Sequence, residues 1–226
     1  MMSSPPSPVH PGAAAAALAL EGLAVPRIDR ADLVTVRLPF VVPFGTSVHT
    51  WTVKEALLLR LGSDGLTAWS ECVADPDPYY ASETTGTARH IVRDFLLPLV
   101  EPGLTMGGLE ERFRRVRGHG MAKATLENGL LVLAALRKGV PLHELMGRPA
   151  RTVMSGLSIG LKETKEELVE AVGRAVAKSY GRVKMKVRKG QDVDWVRAVR
   201  ERFPDVRLMV DANGDYSLAD AARLRE

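Results

Sequence analysis

Three times after residue 151 the chain repeats one grammar: a short apolar run of strand type, then a capped segment of helical periodicity. Val153–Ile159 reads as a strand, and Thr164-x-x-Glu167 is a capping box opening a helix with Leu168, Val172, Ala175 and Val176 inward. Arg182–Val187 is the next strand. Asp192 caps a helix carrying Trp195, Val196, Val199 and Phe203, which Pro204 closes. Arg207–Val210 is a third strand, and Ser217 reads as the cap of a third helix. Consecutive βα units lay their strands parallel through right-handed crossovers, so residues 151–226 call for a parallel sheet, in a barrel or a doubly wound fold. A closed barrel takes about 250 residues and eight such units. The three units here predict an incomplete (β/α)-barrel domain.

The preceding part obeys a different pattern. Residues 28–72 form an antiparallel meander of about three strands, with Ser63-Asp64-Gly65 as the turn before the last. Pro76, Pro78 and the Tyr79-Tyr80 pair make a loop. From Ser82 the pattern turns helical, with Ile91, Phe95 and Leu96 on one stripe until Pro98. A second helix covers Met121–Lys138, stopped by Gly139 and Pro141. Strands followed by helices describe an α+β module over residues 28–150, giving an α/β chain in all. Residues 1–27 read as a disordered Pro/Ala-rich tail. No charge precedes Glu21, so the positive n-region of a secretory signal is missing.

Composition removes several functional classes. Of 226 residues, 46% are hydrophobic and 26% charged, which is the ordinary globular balance. The longest apolar runs, Ala13–Leu20 and Leu130–Leu136, fall short of the ~20 residues that span a bilayer. The excess of Lys+Arg 31 over Asp+Glu 27 is +4 and scattered, which speaks against a nucleic-acid partner. The single Cys72 excludes an intrachain disulfide framework and a Cys-based zinc site, and it fits a cytoplasmic location. The dinucleotide and phosphate-loop glycine motifs, H-E-x-x-H and G-x-S-x-G are all absent. His49, His90, His119 and His143 show no ligand spacing.

The chemistry concentrates at two strand ends. Lys184 and Lys186 are two apart on a predicted strand and point to one face, with Val183, Met185 and Val187 on the other. The lysine face is the inner one, where a barrel normally places Val, Ile or Leu. Two inward ammonium groups are costly, because burial and mutual repulsion both disfavour them. The pattern makes sense if one lysine serves as a base; an edge strand guarded by lysines is the structural alternative. Asp211 ends the next strand, on the face that builds barrel active sites, and its carboxylate suits Mg²⁺. Asn213 follows at the strand–loop junction. Asp-Ala-Asn-Gly-Asp is also good turn chemistry. An EF-hand fails, since Tyr216 stands where its glycine belongs and Ala222 where its bidentate glutamate belongs.

Lys184-Met185-Lys186 followed by Val210-Asp211-Ala212-Asn213 resembles the enolase superfamily, in the branch of o-succinylbenzoate synthase and the N-acylamino-acid racemases. The resemblance covers residues 28–226 and includes Pro39-Phe40, Thr46-Ser47, Trp69-Ser70-Glu71-Cys72-Val73, Met121-Ala122-Lys123 and Ser158-Ile159-Gly160. Leu131-Val132 departs from it, where relatives usually carry Trp-Asp. The resemblance implies an α+β capping domain over a (β/α)-barrel, a divalent metal (Mg²⁺ or Mn²⁺), and abstraction of a proton α to a carboxylate. Lys186 would be the base, with Lys184 flanking it and helping to hold the carboxylate. Asp211 would be a metal ligand, and Ser47, Tyr79, Tyr80 and Ser158 would face a small-molecule carboxylate. In the synthase, dehydration would follow, on the menaquinone pathway. The racemase and a non-catalytic binding remnant are the alternatives. With three barrel units the chain is expected to be the N-terminal part of an enzyme and inactive alone. A homo-oligomer is left open.

Overall fold

The computed structural model describes residues 19–47 and 49–225. The chain separates into two compact units. One comprises the described residues up to Arg37 together with Glu55–Arg151; the other comprises Leu38–Lys54 and the residues from Thr152 onward. The segment 38–54, placed with the capping module on sequence grounds, therefore clusters with the second unit.

The first unit is built on β3 (Leu66–Cys72) and on the parts of β1 (Arg30–Gly45) and β2 (Thr50–Ser63) up to Arg37 and from Glu55, in the sheet order β1-β2-β3. β2 and β3 run antiparallel from Leu57↔Cys72 to Ser63↔Leu66. The Asp64-Gly65 turn has positive φ at both residues, the backbone that matches strand twist in a two-residue hairpin. Leu57, Leu59 and Leu61 alternate onto one face and are fully buried. Each contributes about 1.5–3 kcal/mol on this scale of burial.

The covering helices are α1 (Thr85–Ile91), α2 (Met106–Phe113), α3 (Gly120–Lys138) and the short α4 (Leu142–Leu145). α3 lays Ala122, Leu126, Leu130 and Leu133 into the core shared with the leucines of β2. Its first turn is held by Glu83, whose carboxylate accepts from Met121 N at 3.0 Å and Ala122 N at 3.1 Å. Gly139 ends it in the left-handed conformation.

Two expectations change here. Phe95 does not share the stripe of Leu96. After Ile91 the backbone widens into a π turn over Val92–Leu96, and the added residue per turn leaves Phe95 exposed while Leu96 is buried. The expected tail also ends earlier. Residues 1–18 of that reading lie outside the described residues, but Leu23 and Val25 are buried. They are tied by Val25 N to Leu104 O and Met106 N to Leu23 O, both 2.8 Å.

The second unit contains β4 (Gly156–Ile159), α5 (Lys165–Ala177), β5 (Arg182–Lys186), α6 (Val193–Arg202) and β6 (Leu208–Asp211). The sheet order is β4-β5-β6 and both pairings are parallel. Thr164 caps α5 by accepting from Glu167 N. Val183, Met185 and Val187 are buried with Leu168, Val172, Ala175 and Val199. Val176, expected inward, is instead exposed. The helix expected after Ser217 is two short 3-10 turns, Leu218–Asp220 and Arg223–Arg225. Ser217 and Asp220 do form the capping box, but Leu218 is 96% exposed. A segment that buries no apolar face gains little to extend its first turn.

The arm Leu38–Lys54 meets the strand ends of this unit. Leu161 N donates to Gly45 O at 3.0 Å. Gly160 eases that crossing, because a Cβ there would lie a tight 3.1 Å from Gly45 N and O. Among the described residues no helix is long and apolar enough to cross a membrane.

Candidate active site

Strand register decides which polar groups meet. In the parallel pairs Ser158 lies opposite Lys184 on β4 and β5, and Lys186 lies opposite Asp211 on β5 and β6. Neighbours in register share a face of the sheet. Lys184, Lys186, Ser158 and Asp211 therefore occupy one face, away from buried Val183 and Met185.

Asp211 is the hub. Its Oδ2 accepts from Lys184 Nζ and from Lys186 Nζ, each at 2.9 Å. Its Oδ1 accepts from Asn213 N at 3.0 Å. Lys186 Nζ also donates to Asn213 Oδ1 at 2.6 Å. Asn213 reaches that position with φ of 51°, a left-handed conformation that asparagine tolerates better than most residues. Lys186 is only 8% exposed, so its ammonium is met almost wholly by protein. The hydrogen bond from Lys184, then that from Lys186, holds the Asp211 carboxyl well below the usual carboxylate range.

Ser47 joins this cluster from the arm. Its Oγ donates to Ala212 O at 2.8 Å, a contact across 165 residues of sequence. Ser158 is exposed on the lysine face. Tyr79 and Tyr80 belong to the first unit, in the loop before α1, with exposed rings.

Among the described residues no group of three or more His, Cys, Asp or Glu could hold a metal ion. Asp211 offers one hard carboxylate, which fits as a single ligand and not as a complete cage.

Sequence reasoning read Asp192 only as a helix cap. In the structure it also accepts from the Tyr216 hydroxyl and from Arg223, whose Nε lies 2.7 Å from Oδ2. The Arg223 guanidinium is the main reason its carboxyl is held far below the usual range. The available signal was a cap residue facing an aromatic five positions after Asp211.

An α+β unit and a parallel βα sheet carrying lysines opposite a strand-end aspartate define an enolase-type chain. The family model of the mandelate racemase / muconate lactonizing enzyme N-terminal domain matches residues 30–147, and that of the enolase C-terminal domain-like region matches residues 167–226. The chain belongs to this family of the enolase superfamily. Over 193 residues it is 42% identical to an o-succinylbenzoate synthase of Geobacillus kaustophilus, covering 84% of this chain and 52% of that protein. It is 37% identical to an N-succinylamino acid racemase of Amycolatopsis sp, covering 88% and 55%. A solved enolase-superfamily member from Enterococcus faecalis V583 superposes with a TM-score of 0.78 at 37% identity, covering 89% of this chain and 55% of that one. One from Listeria innocua gives 0.80 at 32% identity, covering 87% and 54%. The chain spans about half the length of the curated relatives it matches.

Proposed function

We propose that this chain carries the proton-abstracting half of a metal-dependent lyase of the o-succinylbenzoate synthase type. The observation that carries the reading is the pair Lys186–Asp211, two facing residues on adjacent parallel strand ends, in a chain 42% identical to a protein named for that activity. Lys186, acting as the neutral amine, removes the proton α to the substrate carboxylate, its Nζ passing from –NH₂ to –NH₃⁺. Lys184, on the same face and flanking it, offers its ammonium to that carboxylate. A divalent cation, Mg²⁺ or Mn²⁺, with Asp211 as one ligand, would supply positive charge where negative charge develops. In the dehydration step Lys186, now carrying the proton, returns it to the departing hydroxyl, which leaves as water. Ser158 borders the substrate beside Lys184; Ser47 holds the arm against the Ala212 carbonyl. Tyr79 and Tyr80 are proposed substrate contacts from the capping unit. Asn213 keeps Lys186 aimed.

The same base and cation serve an N-succinylamino acid racemase, and the 37% identical relative supports that second reading. The test is to co-express the chain with the part of the Geobacillus kaustophilus synthase that it does not match. Dehydration and racemisation are then assayed with Mg²⁺. Lys186→Ala should lower the rate by about 10²–10⁴-fold, the usual worth of a positioned base. Undiminished turnover by a folded Lys186→Ala pair refutes the assignment. The chain alone is expected to show no turnover.

A further inference from the structure

The segment that brings Asp211 and Asn213 to Lys186 is not held by apolar burial. None of the described residues from Asp211 to Arg225 is buried, and Leu218 and Leu224 are exposed. Its backbone also passes through two consecutive left-handed residues, Asn213 and Gly214. Such a stretch keeps one geometry only if polar ties fix it.

Beyond Ser47 on the Ala212 carbonyl and the two lysines on Asp211, those ties come from the connection between β5 and α6, which begins directly after Lys186. Val187 N donates to Asp211 O at 3.1 Å. Lys189 N donates to Asp215 Oδ2 at 3.0 Å, and its ammonium pairs with Asp220 at 2.7 Å. At the end of the connection stands Asp192, only 6% exposed. Its carboxylate accepts from its neighbour Val193 N at 2.8 Å, from the Tyr216 hydroxyl and from both nitrogens of one edge of Arg223. Asp192 thus ties α6 to two points of the segment, three and ten residues beyond Asn213.

We infer that Asp192 is a positioning residue: through Tyr216 and Arg223 it sets where the Asn213 carboxamide meets Lys186 Nζ, and so keeps the lysine aimed. The inference rests on the reading of Lys186 as the base for its catalytic meaning, but the geometry stands without it. Asp192 touches neither lysine, and it acts by fixing a loop. A carboxylate gathering a backbone amide, a phenol and a guanidinium is a rigid node, because charged hydrogen bonds are short and directional. Loss of its charge weakens its hold on Tyr216 and Arg223 together, and Asn213 then loses its fixed place beside Lys186.

The experiment reads lysine environment in the full chain. Lys184, Lys186 and Lys138 are acylated with a small amine-reactive reagent, and each rate is measured by peptide mass spectrometry. Asp192→Asn should raise the Lys186 rate by about tenfold, the factor expected for losing one net hydrogen bond. Lys138, in the first unit, should not change, and Asp192→Glu should restore part of the protection. If Asp192→Asn fails to fold, Tyr216→Phe, which removes one hydroxyl, decides the question in the same direction. A folded variant whose Lys186 rate stays within twofold of the parent overturns the inference. So does an equal rise at Lys138, which would mean general loosening. Turnover in the co-expressed pair is measured separately. Protection lost with Lys186→Ala still active would sink the base assignment while leaving the positioning role in place.

Discussion

Asp211→Asn tests the energetics of the hub without touching the sheet. The change keeps an acceptor oxygen and nearly the same volume but removes the charge. Lys186, 8% exposed, would keep Asn213 Oδ1 at 2.6 Å but lose its only carboxylate among the described residues. A charge-assisted bond of this kind contributes about 1.5–3 kcal/mol net. The Lys184 pair is more open, with both side chains near 30% exposed, and adds about 0–1 kcal/mol. The expected loss is about 2 kcal/mol, and with a urea dependence of about 1–3 kcal/mol per molar the midpoint should fall by roughly 1 M. Trp195 on α6 reports this unit when Trp51 and Trp69 are replaced by Phe. The pH dependence has a definite sign. The folded carboxyl is held below its unfolded value of about 4, so its stabilisation is present above that pH and is lost as pH falls toward the lowered folded value. The gap between parent and variant should be constant from about pH 5 to 8 and close below about pH 4. Equal midpoints at neutral pH, or a gap that persists undiminished in acid, would refute the reasoning.

Three further outcomes are expected. Glu83→Gln should lower the melting temperature of the first unit by weakening the carboxylate cap of α3, at a cost of about 1 kcal/mol; an unchanged melting curve by circular dichroism speaks against the cap. Gly129→Ala should destabilise by about 1–3 kcal/mol, since its Cβ would lie 3.0 Å from Leu61 Cδ1 and 3.1 Å from Ser70 Oγ; urea unfolding would show no loss if the sheet gives way freely. Burial and then the Asp192 carboxylate push the Tyr216 phenol up to about 12. Its neutral form favours folding below the unfolded value of about 10, a contribution lost as pH rises through the folded value. An ultraviolet titration should show one late-ionising tyrosine that Tyr216→Phe removes.

The polar cluster at the strand ends was legible in part because its signals are local. Alternation alone put Lys184 and Lys186 on one face, and a strand-end position alone put Asp211 beside the loops. The lysine–aspartate facing was not legible: a one-residue slip would have set Val210 opposite Lys186, and only the β5–β6 register excludes it. The hydrogen bond from Lys186 Nζ to Asn213 Oδ1 was equally out of reach.

What the sequence by itself determined is what repeats within a few residues. The period of two in Leu57, Leu59 and Leu61, the capping box at Thr164 and the Asp64-Gly65 turn each follow from the backbone geometry of one short segment. What only the tertiary structure decided is whatever joins segments far apart. The arm's Ser47 on the Ala212 carbonyl, the node at Asp192 and the early end of the helical signal after Ser217 belong to this group. The physical reason is that a local pattern states which face can be buried, whereas register, docking and the persistence of a marginal helix depend on which distant surface is there to bury it.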